Sequence, residues 1–579
     1  MIKISNNGRI TRISGPVVFA EGLEAPQRSY LVEIGEEKLL GEIIEIEKDK
    51  AIIQVYEETS GIRINEPVIN LNKPFTIELG PGLLGNVFDG IQRPLEILEG
   101  NFITRGKKAP PLPSTKKWNF FPKADLKIGE KLHPGEIIGT VQESVLIQHR
   151  VLVPPFIKGK IKDIVSEGSY TIKDELITLE NGQKITMVHS WPIRKPRPFQ
   201  KRVESVIPLI TGQRVLDFLF PVAEGSSAAI PGGFGTGKTV LERTLSKFSS
   251  TDIMILTLCG ERGNESAEAL KNFMGLKDPK TGKPMIERTN IIVNTSNMPV
   301  AARESSIYAG VTIAEFYRDM GYNVSMMADS TSRWAEALRE LSGRLGEISG
   351  EEGYPSYMPK LIGQFYERAG RVQTLSRNNG SVTIIGAVSP QGGDFSEPVT
   401  QYTQRYVTAF WALDTDLAYS RHYPAVSWTT SYTDLQSMHE LIEYFKKEGG
   451  VNWEQYRTII NDILQQEEEL QRIVRLIGKD TLSETQKGVL LIAEIIKEGF
   501  LQQNAFNEDA YSPLKKTYYL AEAIISSHSL IQQRIKNKAL SIEELYNTNI
   551  VENLKRLKES KAEEIEKLTV KIKQAIEAL

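Results

Sequence analysis

The sequence predicts a multidomain α/β protein with an N-terminal β-barrel, an inserted β-rich segment, a central mostly parallel sheet and a helical C-terminal domain. Three observations predict it. Short β-branched runs separated by charged or glycine-containing turns fill the first 75 residues. Between about 200 and 435, apolar strands alternate with amphipathic helical stretches. Beyond about 440 the texture becomes long, charged and helix-periodic. At 579 residues the chain is too long for one core, and roughly 150 residues per domain gives about four.

The elements follow in order. Leu31–Ile34, Ile43–Ile46 and Ala51–Val55 read as strands of a small antiparallel barrel over 1–75. A connecting segment, 76–114, is punctuated by Gly80-Pro81-Gly82 and Pro110-Pro111-Leu112-Pro113. A second β-rich unit covers 115–195, with Gly135–Gly139 and Gly159–Val165 as strand-like runs, and ends at Arg194-Lys195-Pro196-Arg197-Pro198. That stretch reads as a linker; a nucleic-acid patch is the sharper alternative, but no aromatics are interleaved.

In the unit 196–437 the candidate strands are Ser227–Ile230, Ile253–Leu258, Asn290–Val293, Val324–Ala328 and Val382–Val388, with helices around 239–248, 300–319 and 333–344. Alternation of this kind argues for a parallel sheet with crossover helices. In 438–579, Leu554, Leu557, Ile565, Leu568, Ile572 and Ile576 lie on one face of a final helix, which either packs in its own domain or is offered to a partner.

Composition narrows the function classes. The formal charge is -3 and the pI about 6.2, so no global basic field attracts nucleic acid or an anionic membrane. Cys259 is the single cysteine, which excludes an intrachain disulfide and fits a reducing compartment. Six scattered histidines show no metal-ligand spacing. Met1–Asn7 lacks a signal-peptide apolar run, and no stretch of about 18 apolar residues suggests a membrane span. These features suggest a cytosolic protein.

Gly232-Gly233-Phe234-Gly235-Thr236-Gly237-Lys238-Thr239 satisfies the G-x-x-x-x-G-K-[ST] pattern. Glycines let successive N–H groups turn toward phosphates at a helix N-terminus. Lys238 can reach the β- and γ-phosphates, and the Thr239 hydroxyl can ligate Mg²⁺. By chance such a match arises about once in several tens of chains this long. A short strand precedes it and a helix-like run beginning Thr239-Val240 succeeds it. The pattern makes the central unit a P-loop domain that binds a nucleoside triphosphate, with Val240 as a further contact.

The strand Ile253–Leu258 ends in Cys259-Gly260-Glu261-Arg262. Ligands of α/β sheets sit at the carboxyl ends of strands, so Glu261 is expected beside the phosphate loop, where a carboxylate can polarise an attacking water. Arg262 could neutralise phosphate charge or hold Glu261; a salt-bridged surface pair is the bland alternative. Val324–Ala328 ends in Asp329, which would hold Mg²⁺ through a water. Ser330 or Thr331 then caps a helix, and Cys259 reads as a small buried residue.

These motifs together resemble the catalytic A (alpha) subunit of V-type and archaeal-type rotary ATPases, along nearly the whole chain. The specific runs are Tyr56–Gly61, Phe88–Leu95, the phosphate loop, Gly260–Glu265, Asn294–Pro299, Ala328–Ala337 and Ser396–Gln401. The resemblance implies a RecA-like fold for the P-loop domain, and an alternating A3B3 ring with non-catalytic B subunits, a central rotor stalk and a peripheral stator stalk. The membrane sector would be engaged only indirectly, from the cytoplasmic face, with no nucleic-acid partner. It implies ATP hydrolysis or synthesis with Mg²⁺, coupled to H⁺ or Na⁺ movement. Glu261 would act on the water, an arginine finger would come from the B subunit, and Tyr423 and Phe506 would flank adenine.

The sequence departs from the family at Gly233, often proline, at Val240-Leu241-Glu242-Arg243, where glutamine and smaller residues are usual, and at Ser266, usually methionine. Among alternatives, a non-catalytic ring subunit would lack the complete loop and Glu261, and a hexameric RNA translocase would carry a basic, aromatic N-terminal domain. A secretion ATPase or F-type β subunit would lack the 115–195 insertion.

Overall fold

The computed structural model describes residues 7–95, 106, 109–434, 438–537 and 540–579. Residues Met1–Asn6, much of the connecting segment between 96 and 108, and the domain boundary at 437 lie outside the described residues.

Six strands close the barrel: β1 (Asn7–Ser14), β2 (Val17–Glu21), β3 (Tyr30–Ile34), β4 (Leu39–Glu47), β5 (Lys50–Val55) and β6 (Pro67–Pro74), in the order β1-β2-β5-β4-β3-β6. Period-2 alternation turns Ile10, Val18, Val32, Ile43 and Ile53 into its interior. Closure leaves no edge strand exposed. The insertion is built of two four-stranded sheets, one containing Lys117–Pro122 and Ile137–Gln142, the other Gly159–Ile164 and Ile177–Leu179.

The central sheet contains β7 (Ser227–Pro231), followed by helix α1 (Lys238–Phe248), then β8 (Ile253–Cys259), α2 (Gly263–Met274) and β9 (Thr289–Asn294). It continues through α3 (Val300–Asp319), β10 (Asn323–Asp329), α4 (Thr331–Leu345) and β11 (Asn379–Val388). The five strands lie parallel in the order β7-β11-β10-β8-β9. Both faces are covered, so the strands read as continuous apolar runs rather than alternating ones. All of α3 is buried, so the solvent-facing side that an amphipathic helix over 300–319 would present is absent, because the helix is covered on every side.

Two of the runs singled out in the sequence turn out to form a joint. Arg93 donates to Asp89 at 2.7 Å and to Glu57 at 3.1 Å, so Phe88–Leu95 and Tyr56–Gly61 fasten the barrel to the central domain. Buried Glu143 of the insertion accepts N–H bonds from Gly82, Leu83 and Leu84 and the hydroxyl of Tyr317 on α3. In Ser396–Gln401, Glu397 caps the helix Pro398–Tyr406 through the N–H groups of Val399 and Thr400.

The 194–198 stretch is not a solvated linker. Arg194 joins Glu42 of the barrel, at 3.2 Å, to Glu304 of α3, at 2.7 Å. Arg197 is buried against Asp319 at 2.7 Å. Each guanidinium finds a carboxylate inside the protein, an arrangement that adjacent prolines and basic residues do not reveal.

The C-terminal domain contains α5 (Trp453–Ile477), α6 (Glu484–Ile496), α7 (Leu514–Lys536) and α8 (Ala562–Ala578). The final apolar stripe is one face but not one helix. A helix over Ile550–Arg556 and a 3-10 turn at Leu557–Glu559 precede α8. Leu554, Leu557, Ile565, Ile572 and Ile576 are buried and Leu568 partly so, and α8 packs on α7, so the stripe is spent within its own domain. In Gln465–Leu470, Glu467 is buried and pairs with Lys497 at 2.7 Å. Among the described residues no helix is long and apolar enough to cross a membrane.

Candidate nucleotide site

The phosphate loop leaves β7 and runs into α1. Gly235 and Gly237 have φ of 81° and 84°, the left-handed region where glycine is at ease, and Gly237 is the residue preceding the helix. Thr236 turns inward, its buried hydroxyl donating to the Gly233 carbonyl at 2.8 Å and closing the loop on itself. Phe234 at the tip is 98 % exposed. A Cβ on Gly237 would approach the Tyr423 ring at 3.1 Å, so that ring stands against the helix N-terminus.

β8 and β10 bring the acids to the same rim. At the end of β8, Gly260 takes φ +76°, turning the chain so that Glu261 emerges. Ser296 N–H donates to the Glu261 carbonyl at 2.9 Å, fixing that turn to the Asn294–Pro299 segment. Asp329 ends β10, and Ser330 caps α4 by accepting from Arg333 N–H at 3.3 Å.

A cavity of about 940 Å³ gathers Gly232, Gly233, Phe234, Gly235, Gly237, Lys238, Thr239, Val240, Glu261, Arg262, Asp329 and Tyr423 on one wall system. Thr236, turned inward, stays outside it. Phe506 is also outside it. It is 86 % exposed and lines an adjoining cavity of about 360 Å³ that shares Thr239, Val240 and Asp329 with the larger one. The two aromatic residues therefore stand on different walls.

The electrostatics are those of an acidic floor beneath a basic loop. Burial, and next the charge of Asp329, push the Glu261 carboxyl up to about 7 against the pull of Lys238 and Arg333. Glu242 of α1 is raised well above the usual carboxylate range, again by burial first and then by Asp329. Arg262 does not hold Glu261. As the residue before α2 its side chain points outward, 73 % exposed, and pairs with Glu265 at 3.5 Å. Lys238 Nζ donates to the Ser389 hydroxyl. Cys259 is buried, its thiol pushed up to about 12 by burial, as a core residue rather than a nucleophile.

The donor set fits a hard divalent cation. Thr239 offers an exposed hydroxyl, and Asp329 is 7 % exposed with one carboxylate oxygen, Oδ1, lacking any hydrogen-bond partner. Sequence reasoning missed Ser389, Arg303, Arg333 and Glu336 as lining residues. Ser389 comes directly after β11, so its place beside β7 is implicit in a parallel sheet once the strand order is known. Arg303 sits on α3, four residues after Pro299, with no local signal.

The comparisons with known proteins agree with this architecture. Four family models match in order: the ATP synthase alpha/beta family β-barrel domain over 10–72 and the alpha/beta subunit barrel-sandwich domain over 109–194. The alpha/beta nucleotide-binding domain comes next over 212–433, and the C-terminal domain of V and A type ATP synthase over 443–546. The A subunit of the A-type ATP synthase of Staphylothermus marinus is 51 % identical, covering 95 % of this chain and 93 % of its own. The V-type ATP synthase alpha chain of Thermoanaerobacter pseudethanolicus is 49 % identical, covering 99 % and 98 %.

Among solved structures, the EscN ATPase of the enteropathogenic E. coli type III secretion system shares the fold, with a TM-score of 0.64 at 22 % identity, over 90 % of this chain and 100 % of that one. With half its residues shared over nearly the full length of such relatives, the chain belongs to the ATP synthase alpha/beta family, in the branch of the A-type and V-type A (alpha) subunits.

Proposed function

We infer that this chain is the catalytic subunit of a rotary ATPase, hydrolysing ATP or making it in reverse, coupled to ion movement across a membrane. The observation that carries the reading is that a complete phosphate loop, Lys238, Thr239, Glu261 and Asp329 all open into one cavity, in a chain of this family.

The phosphates rest on the N–H groups of Gly232–Thr239 and the positive end of α1, with the Lys238 ammonium leaving Ser389 to meet them. Glu261 accepts a proton from, and orients, the attacking water; Arg262, exposed at the rim, neutralises charge on the transferring group. Thr239 and Asp329 would hold Mg²⁺, the latter through water, and the ion when bound neutralises phosphate charge. Tyr423, and Phe506 from the helical domain, wall the base.

The exposed rim of Phe234 and Arg262 supports completion by a neighbour. Non-catalytic B subunits alternate with this chain in an A3B3 ring, one of them supplying an arginine finger, with a rotor stalk inside and a stator stalk outside. The work on the membrane, from its cytoplasmic face, then passes through partners, moving H⁺ or Na⁺.

The test is ATP turnover by the full chain alone and in the reconstituted ring. Completion by an arginine from the partner predicts a rise of about 10³–10⁵-fold on assembly. Equal turnover by the chain alone would refute it.

A further inference from the structure

Glu242 takes no part in the phosphate-loop chemistry, and on an isolated helix it would read as surface charge. It lies three residues after Thr239 and four after Lys238, on the face of α1 that those residues share. The fold buries that face. Glu242 is 5 % exposed, and its Oε1 has no hydrogen-bond partner; neither does Oδ1 of Asp329.

The two carboxyls are within hydrogen-bonding reach of each other. Both line the 360 Å³ cavity together with Thr239. Thr239 and Asp329 also line the larger nucleotide cavity, whereas Glu242 does not. Glu242 thus stands behind Asp329, one layer further from the phosphates.

Two buried carboxylate oxygens left without donors are costly unless a proton, a cation or a water comes to them. Among the described residues no lysine, arginine or histidine forms an ion pair with either carboxylate, which leaves both open to a cation or to the waters it carries. A magnesium-like ion suits the place because it keeps several of its waters and binds through one or two carboxylates plus substrate phosphates. Its waters are donors, and unpartnered oxygens are their natural acceptors.

We propose that Glu242 is a positioning residue of the divalent-cation site: with Asp329 it accepts hydrogen bonds from the water shell of the cation held at Thr239 and the nucleotide phosphates, and so sets cation affinity. The proposal rests on the nucleotide-site reading and deepens it. A second carboxylate behind the first adds negative charge that a divalent ion answers better than a monovalent one. It also fixes the direction in which the Asp329 carboxyl faces.

The experiment uses the full chain with ADP and Mn²⁺ as the probe, reading Mn²⁺ affinity by electron paramagnetic resonance and metal-free ADP affinity by calorimetry in EDTA. Glu242→Gln preserves size and can still donate to Asp329, but removes the charge. The expected result is about a 10–100-fold loss of Mn²⁺ affinity in the ADP complex, the range for outer-shell ligands, with metal-free ADP affinity held within about twofold. Glu242→Ala, which leaves room for water, should show the same loss, and retained metal-free ADP binding certifies that each variant is folded.

Mn²⁺ affinity within about twofold of wild type in Glu242→Gln would overturn the proposal, leaving Glu242 as a neutral hydrogen-bond donor to Asp329. If Thr239→Ala and Asp329→Asn also leave Mn²⁺ binding unchanged, the site reading itself fails. If those two weaken it and Glu242→Gln does not, only the assignment of Glu242 fails.

Discussion

Replacing Glu261 by glutamine removes the group that the cavity has tuned. Burial and the charge of Asp329 hold its carboxyl at about 7, well above the usual 4.5. A base must be ionised to accept a proton. With an apparent pKa near 7 about one site in eleven is competent at pH 6 and about ten in eleven at pH 8. For the reconstituted ring, kcat/KM, which reports the free enzyme, should therefore climb about tenfold between those pH values.

Glu261→Gln should lower kcat by about 10²–10⁴-fold and flatten that limb. Asp329→Asn removes the second-largest cause of the shift, so the residual activity should show its acid limb at lower pH. Stability runs the opposite way. Because the folded-state pKa is raised, the contribution of Glu261 is fully present below about 4.5 and is lost as pH rises to about 7. The empty Glu261→Gln chain should accordingly melt higher than wild type at pH 8. A wild-type profile flat from pH 6 to 8, or a Glu261→Gln ring with near-normal turnover and the same acid limb, would refute the reasoning.

Other perturbations test the surroundings. Arg214, fully buried, bonds Asp509 at 2.6 Å and the carbonyls of Phe500 and Gln502. Arg214→Met should destabilise the docking of the helical domain by about 3–5 kcal/mol, seen in urea unfolding of the full chain, and adding Asp509→Asn should recover part of the loss. Tyr423→Ala should weaken ADP binding to the isolated chain by about 2–10-fold, the worth of one aromatic contact, and more than Phe506→Ala does, as read by calorimetry. A Cβ on Gly233 would rest 3.5 Å from Gly393, an ordinary contact, so Gly233→Ala should leave ADP affinity within about twofold.

The parts of the site that can be read from sequence are those whose meaning is local. The phosphate loop, Glu261 and Asp329 each come directly after an apolar strand, and parallel strands deliver the residues at their carboxyl ends to one rim. Ser389, Arg303 and the Arg214 clamp escape because their partners lie far along the chain; the carbonyl of Phe500 is 286 residues from Arg214. Arg194 and Arg197 resemble a solvated linker because burial of a charge is decided by the carboxylates it meets. Spacing alone offers Arg262 to Glu261 or the phosphates, and the structure pairs it with Glu265 because α2 begins there. The last helix reads as continuous because apolar spacing bridges the gap from Leu557 to Ile565, while the backbone breaks across Ser560 and Lys561.

The wall that the helical domain lends to the nucleotide is also the end of a strut. Helix α5 finishes in exposed Leu476 and Ile477, and the chain returns through α6 to Phe500, Gln503 and Phe506. The 13 residues of α6 span about 20 Å. Gln503 N–H grips the Tyr423 carbonyl at 2.8 Å, and Arg214 holds Asp509 just beyond. One short rod thus runs from the neighbourhood of that apolar tip to the side of the cavity where Tyr423 stands. The joint between that rod and the central domain is a shared apolar core as well as these hydrogen bonds, with Phe218 packed on Trp453 and Phe500, so a force on the tip meets packed side chains rather than a free pivot.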